Sequence, residues 1–399
     1  MILTRPRKTL AACCGIHAVH DGISDILYVL LPLLKETFNL SFAEIGLIRG
    51  AHRAALAIFQ LPAGLLSERL GERNLLVLGT AIAGLAYIGL GLSSGFIALL
   101  IFLFLVGMGS SVQHPLSASI ISTAYANGPR RAALGTYAFA GDVGKFSLAG
   151  GLGLMIAAGI DWRGPVVSLG VFTFFSAVVV LITLVAVKAG GKPEHRPEKE
   201  IKAKPPGWGI KEPIGFSSLL GIMIVDNFTR NGFLTFVAFL LIERHVEPEL
   251  AAMAIPVILL GGMWGKLACG FLAERLGIIR TVILTEIGTA IGIVAMILVE
   301  GENAFFILPI LGVVLNGTSS VLQGTIGDLV DSERQSRAFG LFFTLSAACG
   351  IAAPLTFGFM SDIVGVQFTM FVISGIVFLT LPFCLVLGPI LRDAASPAE

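Results

Sequence analysis

Charged side chains are scarce in this sequence. Only 13% of its 399 residues are Asp, Glu, Lys or Arg, whereas soluble globular domains carry about 25%. Hydrophobic residues make up 55%, and the mean hydropathy is +0.89. A chain of this composition has too little polar surface to face water on all sides. The sequence therefore excludes a soluble globular protein and predicts an integral membrane protein.

The sequence also lacks the motifs of several function classes. It holds no H-E-x-x-H motif and no Walker loop, so we expect neither a metalloprotease nor an ATP-driven pump. Its five cysteines lie in apolar stretches without metal-ligand spacing, which favours simple packing. Gly91–Gly95 matches G-x-S-x-G but lies in a short turn between apolar stretches, so an embedded enzyme is not favoured. We expect no enzyme activity, no cofactor and no metal.

The apolar residues fall into twelve stretches, each long enough to cross a bilayer as a helix of about 20 residues. They are 10–34, 42–66, 74–93, 96–124, 132–158, 165–188, 214–241, 249–271, 279–299, 304–328, 337–359 and 366–390. Residues 189–213 are rich in Lys, Glu and Pro and predict a flexible linker. The predicted fold is an all-α integral membrane protein with twelve transmembrane helices in two pseudo-symmetric six-helix bundles, 1–188 and 214–399.

Basic residues are distributed unevenly between the two ends of these spans. If the N-terminus lies inside, 19 Lys and Arg residues fall in inner segments and three in outer loops. Because basic residues concentrate on the cytoplasmic side, we predict a multi-pass protein of the inner (plasma) membrane with both termini and the linker in the cytoplasm. This topology explains the loop charges, so no nucleic-acid partner is expected.

The two halves of the chain carry related motifs. Gly64–Gly71 (GLLSERLG) matches Gly270–Gly277 (GFLAERLG) at an offset of 206 residues. At nearly the same offset, Asp21 corresponds to Asp226 and Asp25 to Arg230, and RAALG at 131–135 resembles RAFG at 337–340. Three matches in one order indicate a duplicated six-helix unit, as in transporters that bind substrate between two repeats.

The segment Gly64–Arg73 resembles the signature loop of the major facilitator superfamily, with Glu68 and Glu72 as departures from the usual residues. The resemblance covers essentially the whole chain. It implies alternating access by rocking of 10–188 against 214–390, with an inner gate at this loop and its copy. The gating residues that it implies are Gly64, Glu68, Arg69, Gly71, Arg73, Glu274 and Arg275.

A closer resemblance is to the fosmidomycin resistance protein group. His17 with Asp21, the segment 33–47 (LLKETFNLSFAEIGL) and the segment 107–115 (GMGSSVQHP) carry it. This resemblance implies drug resistance through proton-coupled efflux of a phosphonate antibiotic. The segment Gly141–Gly151 keeps the glycines of antiporters in the fifth span but lacks their proline, which leaves uptake by proton symport open.

Several charges fall inside the predicted spans, where each costs at least about 2.5–3.5 kcal/mol unless it faces a wet cavity or a partner. Arg49, His52 and Arg53 form one stripe on the second span. Guanidinium groups suit carboxylates and phosphonates, and we expect Asp25 and Arg230 to approach each other or a common ligand. The predicted substrate-binding residues are Arg53, Arg230, Asp25, Arg49, His52, Lys145 and His114.

Purely structural roles are also open for some of these residues. Asp142 and Lys145 could simply neutralise each other, and His114 beside Pro115 could be a packing feature. We expect Glu286 near a span end, as a gate or interface charge. For proton coupling, the candidates are Asp21, Asp25 and Asp142, with His17 and His20 as relays, and the sequence does not choose among them.

The sequence thus predicts a monomeric secondary transporter of a small organic anion, coupled to protons and exporting its substrate across the bilayer. The alternatives within transport are a proton-coupled uptake symporter and an anion exchanger. An alternative of another class is a receptor on the same scaffold, which would bind a solute without moving it.

Overall fold

Helices make up nearly all of the structure, as a bilayer requires of a chain that must satisfy its own backbone N–H and C=O groups. The computed structural model describes residues 4–126, 130–191, 209–330 and 335–395. The chain forms two compact units, Met1–Leu40 with Leu47–Lys202 and Ser41–Gly46 with Ala203–Glu399. The linker boundaries at 188 and 214 stay a prediction, because residues 192–208 lie outside the described ranges.

The first six predicted spans all form helices. They are α1 (Arg5–Phe38), α2 (Phe42–Leu70), α3 (Glu72–Gly91), α4 (Phe96–Ser110), α5 (Gln113–Ala124), α6 (Arg130–Ala157) and α7 (Arg163–Ala186). The fourth span is thus divided into α4 and α5 by Ser111 and Val112. Pro115 lies in the first turn of α5, where its missing N–H costs no hydrogen bond.

The six predicted spans of the second half also form helices, and two of these spans are each divided into two helices. The helices of this half are α8 (Pro213–Glu243), α9 (Pro248–Ala251), α10 (Ala254–Leu276), α11 (Ile278–Leu298), α12 (Leu308–Leu329), α13 (Gln335–Val364), α14 (Val366–Ile376) and α15 (Thr380–Ala395). Short 3-10 turns at Gly301–Phe306 and Val377–Leu379 precede α12 and α15. The predicted all-α membrane fold with twelve spanning segments is confirmed.

Each unit has an apolar interior and an apolar exterior. Fully buried side chains such as Leu76 in the first unit and Leu322 in the second pack between the helices. Large apolar side chains also lie on the outside, where Ile182 is 64% and Ile363 is 81% exposed. Such a surface would aggregate in water but suits contact with lipid tails.

The backbone repeats its turns at the offset found in the sequence. Six of the ten described residues with left-handed φ form three pairs, each 206 residues apart: Asn39 and His245, Gly71 and Gly277, and Gly159 and Gly365. Gly71 and Gly277 adopt φ of 85° and 87° and each precedes a helix. A side chain at such φ is strained, so the glycine that ends each copy of the sequence motif has a structural cause.

The N-terminus of α2 is capped twice. Glu44 N–H donates to Ser41 Oγ at 3.1 Å, and Ser41 N–H donates to the Glu44 carboxylate at 2.9 Å. This is a capping box. From α13, the Asp362 carboxylate accepts the Phe42 and Ala43 N–H groups, each at 2.8 Å. A negative charge at a helix N-terminus is favourable, so Asp362 fixes the first turn of α2 within the second unit.

Asp362→Ala is expected to loosen this turn, since removal of a helix cap costs about 0.5–2 kcal/mol. Hydrogen–deuterium exchange of the Phe42 and Ala43 amides should therefore become up to about 30-fold faster. The control is Asp161→Ala, which removes an exposed carboxylate far along the chain. Unchanged exchange in Asp362→Ala would show that the capping box alone holds the turn.

Candidate functional site

Four long helices are too polar to qualify as membrane spans by composition. Among the described residues, eight helical segments are long and apolar enough to cross a bilayer, and α1, α2, α6 and α8 are not among them. These four helices carry the charges that the sequence places near the midplane: Asp21, Asp25, Arg53, Asp142, Lys145, Asp226 and Arg230. Their polarity marks them as the helices that hold the candidate site.

Asp21 of α1 lies at the centre of a cluster of ionisable groups. Lys145 Nζ lies 3.1 Å and His17 Nε2 lies 3.2 Å from Asp21 Oδ2. His114 Nε2 lies 3.5 Å from Asp21 Oδ1. Lys145 Nζ also lies 3.6 Å from Asp142 Oδ1 on its own helix. Lys145 and His114, predicted to bind substrate, thus lie with three of the residues predicted for proton coupling, and Lys145 does more than neutralise Asp142.

Glycines allow α6 to approach α1 this closely. A Cβ atom at Gly144 would lie 2.5 Å from the carbonyl carbon of Ala18. One at Gly141 would lie 2.6 Å from His17 Cε1 and 2.7 Å from Asp21 Oδ2. No real Cβ tolerates such contacts, so both positions need glycine for the cluster to form.

His20 lies one turn from His17 in a different environment. Its Nε2 lies 3.0 Å from Thr80 Oγ1, and its Nδ1 lies 3.1 Å from Ser110 Oγ. The ring is 2% exposed. Of the two histidines predicted as proton relays, only His17 contacts a carboxylate.

In the basic stripe on α2, Arg49 and His52 are buried in the first unit and Arg53 is partly exposed. Arg49 is fully buried, with its guanidinium carbon 3.9 Å from the centre of the Tyr28 ring and Nη1 donating to the Ser24 carbonyl at 3.4 Å. Arg49 Nε and Nη2, His52 Nε2 and Arg53 Nε have no hydrogen-bond partner among the described residues. Neither arginine forms an ion pair within that part of the chain. The stripe therefore holds buried positive charge with unused donors.

Asp25 of α1 is a carboxylate that interacts with both arginines of this stripe. Its residue surface is 8% exposed. The carboxylate interacts electrostatically with Arg49 and Arg53, yet within the described ranges it forms no ion pair. The expectation that Asp25 approaches Arg230 stays a prediction.

In the second unit, Arg230 is held by its own helix. Its Nη2 donates to Asn227 Oδ1 at 2.6 Å and lies 3.9 Å from Asp226 Oδ2. Ser346 of α13 donates to the same Asn227 oxygen at 2.8 Å. The i, i+4 spacing placed Asp226 and Arg230 on one face, whereas Asn227 and Ser346 were missed because neither carries a charge.

The expectation that Glu286 lies near the end of a span is wrong. Glu286 is the ninth residue of α11 and 3% exposed, so it lies inside the helix rather than near an end. Its neighbour Thr285 forms a hydrogen bond with Thr318 of α12 at 2.8 Å. A buried carboxylate in the second unit is a further candidate for proton binding, and the predicted span 279–299 already placed Glu286 as its eighth residue.

The predicted gate residues lie at the ends of helices. Arg69, Glu274 and Arg275 are exposed, and the side chain of Glu68 lies outside the described part of the structure. Arg73 N–H donates to the Gly190 carbonyl at 2.7 Å, which ties the start of the linker to the first turn of α3. Lys211 N–H likewise donates to the Leu329 carbonyl at 3.0 Å. Gating by this loop stays a prediction.

One group of side chains has the spacing of a metal site. Ligand atoms of His17, Asp21 and His114 all lie within 4.8 Å of one another. The Lys145 ammonium already supplies positive charge to Asp21 at 3.1 Å. A cation in this place would compete with that ammonium, so we assign no metal to the cluster.

The fold matches solved structures of transporters over its whole length. The crystal structure of a bacterial homolog of the human lysosomal transporter Spinster, inward-facing and unoccupied, aligns with a TM-score of 0.82. The sequences are 18% identical, and the alignment covers 100% of each chain. At this identity the likeness concerns the fold alone.

Curated relatives are also transporters or resistance proteins. The hexuronate transporter of Bacillus subtilis is 25% identical over 409 residues, which cover 94% of this chain and 93% of that protein. The fosmidomycin resistance protein of Escherichia coli is 31% identical over 111 residues. That match covers 28% of this chain and 27% of the relative, so the closer resemblance is confirmed over about a quarter of the sequence.

The sequence pattern of the Major Facilitator Superfamily matches residues 13–354 and, in a second match, 216–398. Together the two matches cover nearly all of the predicted spans. The full-length structural likeness and the curated relatives agree with them. This chain is a multi-pass integral membrane transporter that belongs to the Major Facilitator Superfamily.

Proposed function

We propose that this transporter moves a small organic anion of the carboxylate or phosphonate class, with proton movement as the driving force. The observation that carries the proposal is the stripe Arg49, His52 and Arg53, in which Arg49 Nε and Nη2 and Arg53 Nε lack partners in the described structure. A buried, unpaired guanidinium is costly, and an anion that accepts its hydrogen bonds would offset that cost. Arg53 is the part of the stripe open to a ligand, because it is partly exposed while Arg49 is fully buried.

We assign export as the direction and the inner membrane as the location. The support for export is the partial similarity to the fosmidomycin resistance protein, because export of a drug is one route to resistance. The support for cytoplasmic termini is the excess of basic residues on one side, 19 against three. Arg230 is proposed as a second substrate contact, because Asn227 and Asp226 hold its guanidinium in place.

Uptake by proton symport is the second candidate, and the charges inside the first unit favour it. Arg49, Arg53 and Lys145 balance Asp21, Asp25 and Asp142. One added proton leaves a net positive charge, so proton binding would increase the affinity for an anion. Two ligands that bind cooperatively suit symport better than exchange. Hexuronate, named in one relative, is a carboxylate.

The test uses purified protein in liposomes that contain a pH-sensitive dye. A pH gradient is imposed, and phosphonates, carboxylates, organophosphates and a few cations are added in turn. Proton flux triggered by an anion, and lost in Arg230→Ala, is the expected result. The sign of the flux relative to the anion gradient distinguishes export by exchange from uptake by symport.

Other outcomes would overturn specific parts of the proposal. Flux with cations alone would show that the buried aspartates, rather than the arginines, bind the substrate. Anion binding without flux of either ligand would favour the solute receptor. Anion movement that is independent of the pH gradient but needs a second anion inside would identify an anion exchanger.

A further inference from the structure

The orientation of His17 is fixed by a backbone carbonyl. His17 Nδ1 lies 2.7 Å from the carbonyl oxygen of Tyr137, and the two rings stack with centroids 4.0 Å apart. A carbonyl oxygen only accepts hydrogen bonds, so Nδ1 carries a hydrogen and donates it. In neutral imidazole the other nitrogen, Nε2, then presents a lone pair.

That lone pair would face a carboxylate. His17 Nε2 lies 3.2 Å from Asp21 Oδ2, and the two side chains are 5% and 11% exposed. Nε2 has no hydrogen-bond partner in the described ranges, so its approach to Asp21 is a close contact in which no hydrogen bond is yet formed. Two acceptors at this distance repel each other in a poorly hydrated place, whereas one proton between them creates a charge-assisted hydrogen bond.

We infer that His17 and Asp21 together bind one exchangeable proton, held between His17 Nε2 and Asp21 Oδ2. The inference rests on the proposed proton coupling and names the two atoms that carry it. It selects Asp21 among the candidate carboxylates, because Asp21 faces an imidazole whose tautomer is fixed.

The groups around the pair determine which atom holds the proton. Lys145 lies 3.1 Å from the same Asp21 oxygen, and His114 approaches the other oxygen at 3.5 Å. Arg53 interacts with Asp21 electrostatically from α2. These groups stabilise the ionised carboxylate, so the proton lies on His17 as an imidazolium. Lys145 is shared with Asp142 at 3.6 Å, and a shift of its ammonium toward Asp142 would strengthen proton binding at Asp21.

His20 provides an internal contrast. Thr80 donates its own hydroxyl hydrogen to the Leu76 carbonyl at 2.7 Å, so its oxygen must accept from His20 Nε2–H. His20 Nδ1 is then the acceptor for the Ser110 hydroxyl. Neutral His20 satisfies every one of these hydrogen bonds, and an added proton would force the Ser110 hydroxyl to turn and accept from Nδ1 instead. His20 is therefore a neutral positioning residue rather than a proton relay.

The experiment is nitrogen NMR of the full-length protein with ¹⁵N-labelled histidine, in lipid nanodiscs without substrate, between about pH 5 and pH 9. Nitrogen shifts distinguish the imidazolium and the two neutral tautomers, and His17→Gln assigns the His17 signals. We expect His17 to carry hydrogens on both nitrogens at low pH and to lose the one on Nε2 as the pH rises. In Asp21→Asn, His17 should be neutral with Nδ1–H, and His20 should keep Nε2–H throughout.

The inference fails if His17 is neutral with Nε2–H, if it keeps both hydrogens in Asp21→Asn, or if His20 titrates. Should a variant fail to fold, the wild-type spectrum still decides the tautomers, with assignment by replacement of the other five histidines. Because no substrate is present, the spectra do not depend on transport. Normal spectra without flux would refute the proposed function alone, and flux without a His17 proton would refute this inference alone.

Discussion

Arg53→Ala is expected to reduce anion-driven proton flux by about 30-fold or more. Loss of one partner from a buried, charged hydrogen bond costs about 2–5 kcal/mol, and every 1.4 kcal/mol is about tenfold. Arg53 Nε has no hydrogen-bond partner within the described residues, so this donor is available to a ligand. The effect should therefore appear in substrate affinity, measured by the concentration dependence of flux in liposomes, rather than in protein yield.

Two further variants sharpen this result. Arg53→Lys keeps the charge but loses the planar fork that suits carboxylate and phosphonate, so its flux should lie between those of wild type and Arg53→Ala. Arg7→Ala removes an exposed arginine near the N-terminus and should leave flux unchanged. If Arg53→Ala transports like the wild type, the α2 stripe is a structural feature and the anion binds elsewhere.

The apolar stretches together with the internal repeat were enough to predict the fold. The stretch 214–241 became α8 (Pro213–Glu243), and the capping box at Ser41 and Glu44 formed as its spacing indicates. Composition could not show where a span is interrupted. The break between α4 and α5 depends on how those helices pack, and the run of apolar residues continues through it.

The site was predictable in its residues but not in its connections. Helical spacing places His17, Asp21 and Asp25 on one face of α1, and this spacing can be read from the sequence alone. The contact of Asp21 with Lys145 depends on the approach of α6 to α1, which no local pattern encodes. The tautomers of His17 and His20 depend on a backbone carbonyl and on the hydroxyl of Thr80, and sequence therefore treats the two histidines alike.

Gly144→Ala is expected to destabilise the protein, although alanine is the better helix former by roughly 0.5–1 kcal/mol. The added methyl group would overlap the backbone of Ala18 on α1. Overpacking of this kind costs about 1–3 kcal/mol, and backbone atoms cannot move aside as a side chain can. The helices must separate, which would carry Lys145 away from Asp21. We therefore expect a lower midpoint of thermal unfolding in detergent and a loss of proton-coupled flux.

Gly151→Ala on the same helix is the matched control, because a Cβ atom there meets nothing within 4 Å. It should be neutral or slightly stabilising, with normal flux. A difference between the two variants would show that the approach of α6 to α1, rather than helix propensity, holds Lys145 and the Tyr137 carbonyl against the proton-binding pair. If Gly144→Ala is as stable and active as Gly151→Ala, α6 tolerates a wider separation from α1. The contact between Lys145 and Asp21 would then be dispensable for transport.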